Sequence, residues 1–299
     1  MKLGLGTAQF GLDYGATNQH GRLREDMVAA ILARACDLGV ALIDTAPAYG
    51  EAEALIGRHL PATHGLRVIS KTRHFTGLSL RQAIEAVRGD AEASAARLKA
   101  PLEGLLVHHA GDLLGEHGAA LWRAMEEVRE DGLACRLGAS VYNGGEVDAL
   151  LARYPIDILQ IPFSILDQRL LHDGTLDRLR RRGIEVHARS LLLQGVIAAD
   201  PERLPAHLAE LRPALAALRR QAAAAGRTPL EAALGFARLS GRIDVAILGV
   251  TTVEELEELA GAAAAPVAAL DYGGLAISEA RLVDPRRWPA PADLKRRAS

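Results

Sequence analysis

Eight short apolar runs, each closing on polar residues and each set apart by a longer segment with apolar residues at helical spacing, constrain this chain most. The runs predict strands near residues 3–6, 41–44, 67–71, 103–107, 135–139, 157–161, 184–188 and 245–248. Between them, Val28, Ile31, Leu32, Ala35 and Leu38 mark one amphipathic helix, and Leu121, Trp122, Met125 and Val128 another. Gly39, Gly132 and Gly183 fall where such helices must stop. Eight strands alternating with helices predict an α/β protein, a single (β/α)8 barrel over residues 1–299 with its active site at the C-terminal face of the strands. The stretch before the eighth strand is long enough for two helices, one around Leu208–Leu218 and one around Leu230–Ala237, broken at Gly226. A proline- and charge-rich tail at about 290–299 is expected to be flexible, and Trp288 stands just before it.

Composition narrows the function classes. With 299 residues, 49% hydrophobic, and a formal net charge of -2, the chain can bury a substantial core. That balance gives no electrostatic reason to expect nucleic acid, and the apolar stretches are too short to span a bilayer. Two cysteines, Cys36 and Cys135, lack metal-type spacing and read as reduced structural thiols. The opening KLGLGTAQ enters a strand with no signal-like apolar core, so a cytoplasmic location is expected.

Four polar residues stand at or just beyond predicted strand ends: Asp44 and Tyr49 in IDTAPAYG, Lys71 closing VISK, and His108 closing LLVHH. In a parallel barrel these positions gather at one rim. A phenol of reference pKa ~10 needs a nearby cation to give up its proton readily at neutral pH. Lys71 can supply that charge, Asp44 can hold the ammonium, and His108 can donate a ring N–H to a carbonyl oxygen. A carbonyl carbon so polarised is ready to accept a hydride. Each residue also has a plainer reading: a strand-end lysine, a turn aspartate, a half-buried aromatic, a core histidine. A metal-dependent barrel using Asp44, His108, His109 and His187 is disfavoured, because adjacent strand residues point to opposite faces and no metal-type His spacing occurs.

The same four residues, in this order, resemble the catalytic tetrad of the aldo-keto reductases. The resemblance extends through LGLGTAQFG, YGEAEALIG, GASVYN at 138–143, LQIPFS at 159–164, SLLLQG at 190–195 and ILGV at 247–250, nearly the whole chain. It implies reduction of an aldehyde or ketone by NADPH, with NADH as the close alternative, Tyr49 donating the proton. A cofactor-binding regulatory barrel with little turnover is the competing reading.

No P-loop or GxGxxG follows the first strand, so a Rossmann-type dinucleotide site has no support; the resemblance implies instead an extended dinucleotide laid across the barrel mouth. By resemblance, Gly6, Thr7 and Asp44 face it, Ser140 and Gln160 hold its carboxamide, and Arg189 takes the place of a stacking aromatic. Ser190, Leu192, Gln194 and Gly195 match the pyrophosphate-side loop, and Gly249, Thr251, Thr252 and Glu258 the adenosine end. A guanidinium can stack on the ring, and its charge would favour the reduced cofactor; a rim arginine paired with a carboxylate is the plain alternative. The basic residues that commonly grip a 2′-phosphate are absent from ILGVTTVEELEELA, which carries Glu254, Glu255, Glu257 and Glu258 instead.

Phe10, Tyr14, Tyr49, His108 and His109 are the candidate substrate contacts, with Arg73, His74 and Phe75 nearby. This mixture predicts a polar, sugar-like or anionic small-molecule carbonyl substrate, handled by a monomer or small homo-oligomer.

Overall fold

The computed structural model describes residues 1–18, 20–60 and 65–289. The tail expected to be flexible lies outside the described residues. Eight parallel strands close into a barrel in sequence order: β1 Lys2–Gly6, β2 Leu42–Asp44, β3 Arg67–Lys71, β4 Leu102–Val107, β5 Ala134–Ser140, β6 Ile158–Pro162, β7 Glu185–Arg189 and β8 Val245–Gly249. Lys2 to Gly6 pair in register with Val245 to Gly249 and so shut the ring. Each expected strand is present, with no end shifted by more than one residue.

Among the described residues, the α-helices longer than five residues are α1 Glu25–Asp37, α2 Ala52–His59, α3 Leu80–Leu98, α4 Gly118–Glu130, α5 Gly144–Leu151, α6 Thr175–Arg181, α7 Arg212–Ala224, α8 Pro229–Ser240 and α9 Val253–Ala264. Their apolar faces pack on the outward strand side chains in one large core. Gly39, Gly132 and Gly183 take positive φ at 66°, 75° and 68°, the left-handed turn that stops the preceding helix. The stretch between β7 and β8 forms a 3-10 segment Ala206–Leu211 leading into α7, a turn at Gly226, and α8, which Thr228 opens with a capping box.

Inside the ring sits a second, smaller cluster of Leu42, Ile69, Leu106, Ile158, Val245 and Ile247. Strand side chains alternate faces, so the residue two beyond each of these points the same way. Those residues are Asp44, Lys71, His108, Gln160 and, on β8, Gly249. The strand period therefore plugs the barrel with aliphatic groups and lifts polar ones just above the plug. The opposite end of the ring is closed by charge: Glu185 binds Arg67 at 3.0 Å, His187 at 2.8 Å, and Arg136. Burial alone would raise the Glu185 carboxyl, but these donors hold it well below the usual carboxylate range.

Among the described residues, no helix is long and apolar enough to cross a membrane. Cys36 lies in α1 and Cys135 in β5, both as free thiols.

Candidate active site

At the floor of the C-terminal mouth, Lys71 is fully buried and its Nζ donates to Asp44 Oδ1 at 2.7 Å and to the Thr45 carbonyl at 3.1 Å. Gln160 Nε2 donates to the same Asp44 oxygen at 2.7 Å. The Lys71 ammonium is 5.2 Å from the centroid of the Tyr49 ring, and the Tyr49 and His108 rings meet edge to face with centroids 5.9 Å apart. Tyr49 owes its position to Gly11, where a Cβ would fall 1.8 Å from the Tyr49 carbonyl oxygen; only a glycine lets the loop after β2 settle against the short helix Ala8–Gly11. Thr7 adds a hydroxyl bond to the Asp44 carbonyl at 2.9 Å.

Burial governs the acid–base state of this group. Loss of hydration pulls the Lys71 pKa down, while Asp44 opposes that shift. Burial, with Asp44 adding to it, pushes Tyr49 well above the ordinary phenol value. Asp44, set against the Lys71 ammonium, offsets part of the field that the lysine exerts on this phenol. Burial, then the positive charges of Lys71 and Arg189, depress His108 to about 3, so its ring is neutral and can donate one N–H.

Around these residues opens a cleft of about 740 Å³, a size suited to a small-molecule ligand. Asp44, Tyr49 and His108 line it, with Gly6, Thr7 and Tyr14 from the β1 side and Ser140 and Gln160, register partners on β5 and β6. Arg189, Ser190, Leu192, Gln194 and Gly195 continue the wall after β7, and Gly249, Thr251 and Glu258 complete it beyond β8. Ser190, Leu193, Gln194 and Gly195 all take positive φ, which folds this loop tightly over the mouth. Gly195 is held close to Thr17, whose hydroxyl donates to the Gln194 carbonyl at 3.2 Å.

Three expected contacts are not part of the wall. Phe10 is turned into the core and fully buried, because the short helix carrying it packs that face inward. His109 stacks on His108 with ring centroids 4.9 Å apart, lies against His74 at 4.2 Å, and is not among the residues lining the cleft. Thr252 caps α9 through the Glu255 amide at 3.2 Å. Arg73 is clamped on Asp90, Phe75 is buried, and Trp288 packs edge-on against His207 rather than over the mouth.

Other residues enter that the sequence did not single out. Tyr142, after β5, carries the Arg189 guanidinium 4.0 Å and the Arg286 guanidinium 3.1 Å from its ring centroid. Arg189 also donates to Ser140 Oγ at 3.4 Å and the Val141 carbonyl at 3.0 Å, and among the described residues it has no carboxylate at ion-pair distance. Arg286 is braced by buried Asp284, with Nη2–Oδ2 at 2.6 Å. Tyr142 could have been read from GASVYN; Arg286, in a stretch without periodicity, had no such signal. His187 is buried on Glu185, and among the described residues no group of three His, Cys, Asp or Glu side chains has metal-site geometry.

The sequence model of the Aldo/keto reductase family matches residues 2–275. The chain belongs to the aldo/keto reductase family. Among solved structures, it resembles an aldo-keto reductase from Bacillus halodurans in its holo form, with 19% identity, a TM-score of 0.75 and coverage of 96% of this chain and 95% of that one. It also resembles an aldo-keto reductase from Klebsiella pneumoniae in complex with NADPH, with 22% identity, a TM-score of 0.69 and coverage of 96% and 91%. None of the curated proteins matches it. At these identities the structural likeness speaks for the barrel, and family membership for an oxidoreductase of the nicotinamide-dependent kind.

Proposed function

We propose that the chain reduces an aldehyde or ketone to an alcohol with NADH or NADPH, Tyr49 acting as proton donor. The observation that carries this reading is the convergence of Tyr49, Asp44 and His108 on one cleft wall with Lys71 buried behind them, its ammonium 2.7 Å from Asp44 and 5.2 Å from the centroid of the phenol ring. The cleft suits a dinucleotide: polar Ser140 and Gln160 adjoin the tetrad, and leucine-rich walls lead away from it toward α9. A bound reduced nicotinamide would supply the hydride.

The chain's own residues would do the rest. The neutral His108 ring donates an N–H to the carbonyl oxygen and fixes it near Tyr49. The raised Tyr49 pKa keeps the phenol protonated until that oxygen gains negative charge, and Lys71 then stabilises the emerging phenolate. Asp44 keeps Lys71 charged in spite of its burial. Gln160 shares the Asp44 oxygen and so holds the carboxylate in one orientation.

For the substrate, we favour a polar, sugar-like or anionic carbonyl compound. Arg189 and Arg286, both packed on Tyr142 and both lining the cleft, make that end positive, and only Arg286 is matched by a carboxylate at ion-pair distance among the described residues. The test is turnover of hydroxylated, carboxylate-bearing and aliphatic aldehydes with each reduced dinucleotide. Reduction with the charged or hydroxylated members leading is expected. Cofactor binding without turnover on any member would instead mark a sensing barrel, and a lead by aliphatic aldehydes would reject the polar pocket.

A further inference from the structure

We infer that the far end of the cleft selects a dinucleotide lacking a 2′-phosphate, NADH over NADPH, and that Glu255 is the discriminating residue; this rests on the cleft being the nicotinamide site proposed above. In an eight-stranded ring β8 stands opposite β4, so the loop after β8 and the start of α9 are the part of the cleft farthest from His108. With the reacting ring beside Tyr49, the adenosine half of the molecule reaches that end.

The start of a twelve-residue helix ordinarily attracts a phosphate, through free N–H groups and the positive end of its dipole. Here a carboxylate has taken that role. The Thr251 backbone N–H donates to Glu255 Oε2 at 2.6 Å, the Thr251 hydroxyl donates to the same oxygen at 3.0 Å, and the Glu255 N–H is spent on Thr252 Oγ1 at 3.2 Å. Both Thr251 donors at this end are thus occupied by the protein's own anion.

Among the described residues no lysine or arginine is paired with this end of the cleft. Glu255 and Glu258 both line the cleft, and among the described residues neither has an ion-pair partner. Arg34, on the neighbouring α1, is bound to Glu257 at 2.7 Å and does not reach the wall. The guanidiniums that do line the cleft, Arg189 and Arg286, are stacked on Tyr142 beyond β5. His20 also lines the cleft, on the β1 loop whose Thr17 packs on Gln194 and Gly195, and it is not at ion-pair distance from Glu255 or Glu258. A 2′-phosphate would meet two carboxylates, whereas free ribose hydroxyls can donate to Glu255 Oε1, which has no partner among the described residues. A carboxylate that accepts from the ribose 2′-hydroxyl is a known physical basis for preferring the unphosphorylated cofactor.

The experiment is an equilibrium fluorescence titration of the full chain with NADH and with NADPH, for the wild type, Glu255→Gln and Glu258→Gln. Glutamine can still accept from the Thr251 N–H, and thermal melts of the variants check that the cap survives. The wild type should bind NADH at least ~tenfold more tightly, and Glu255→Gln should tighten NADPH by ~tenfold while moving NADH less than ~threefold. Equal or tighter binding of NADPH by the wild type, or an unchanged affinity ratio in Glu255→Gln, would overturn the inference and leave the proposed reaction standing. If neither dinucleotide bound, the nicotinamide reading would fall, and this inference with it.

Discussion

Lys71 and Asp44 meet at 2.7 Å with their side chains 0% and 6% exposed, and the ammonium of this pair lies 5.2 Å from the ring centroid of Tyr49. Strands β2 and β3 are register neighbours, and the inward parity of both residues brings the two charges together above the barrel plug. So dry a pair is stabilising only while it is complete, since either partner alone leaves a charge with little water.

Lys71→Met should therefore cost ~3–5 kcal/mol of folding stability, with Asp44 left uncompensated. Adding Asp44→Asn should recover part of that loss, because no buried charge remains. Urea denaturation of the two single variants and the double variant measures the coupling; strictly additive losses would show that the pair is not energetically linked.

The depressed pKa of His108, about 3 against an ordinary 6.5, makes stability depend on pH in a definite direction. Above the unfolded value the ring is neutral in both states and adds no slope. Below it the unfolded chain binds a proton that the folded chain refuses, so this group removes about 1.4 kcal/mol per pH unit until the folded value is reached. His108→Asn should flatten the loss of stability between pH 6 and pH 4, read by denaturation at each pH. Parallel slopes for the two proteins would contradict a neutral buried imidazole.

Arg189 lies near enough to Tyr49, Lys71 and His108 to shift each of them. Its positive charge should disfavour the cationic ring of an oxidised nicotinamide relative to the neutral reduced one. Arg189→Ala is expected to lower the ratio of reduced to oxidised affinity several-fold, as measured by titration with each form. An unaltered ratio would mean that the guanidinium serves only to brace Tyr142 and the Val141 carbonyl.

Much of this architecture was legible because the strand period and the helical period are both physical consequences of burial. Leu42, Ile69, Leu106 and Ile158 fill the barrel, so Asp44, Lys71, His108 and Gln160 must emerge above it, and the sequence shows that two-residue offset directly. Loops carry no comparable rule. Phe10 follows β1 and looked available to a ligand, yet a single helical turn rotates it into the core. His109 adjoins His108 in sequence and stacks on it without reaching the cleft lining. Arg286 is braced locally by Asp284 and reaches the cleft through its contact with Tyr142, which is made across a long sequence distance. The direction of the Tyr49 shift was also hidden, since it depends on how completely Asp44 offsets the lysine and how little water remains.

The most direct measurement is a paired one on Tyr49→Phe: affinity for the reduced dinucleotide by fluorescence titration, and turnover on a carbonyl substrate that the wild type reduces. Loss of one hydroxyl should leave affinity within ~threefold and lower turnover by ~10²–10⁴-fold, the range that positioned acid–base groups contribute. Turnover close to that of the wild type would show that another group delivers the proton, and would contradict the role assigned to this phenol.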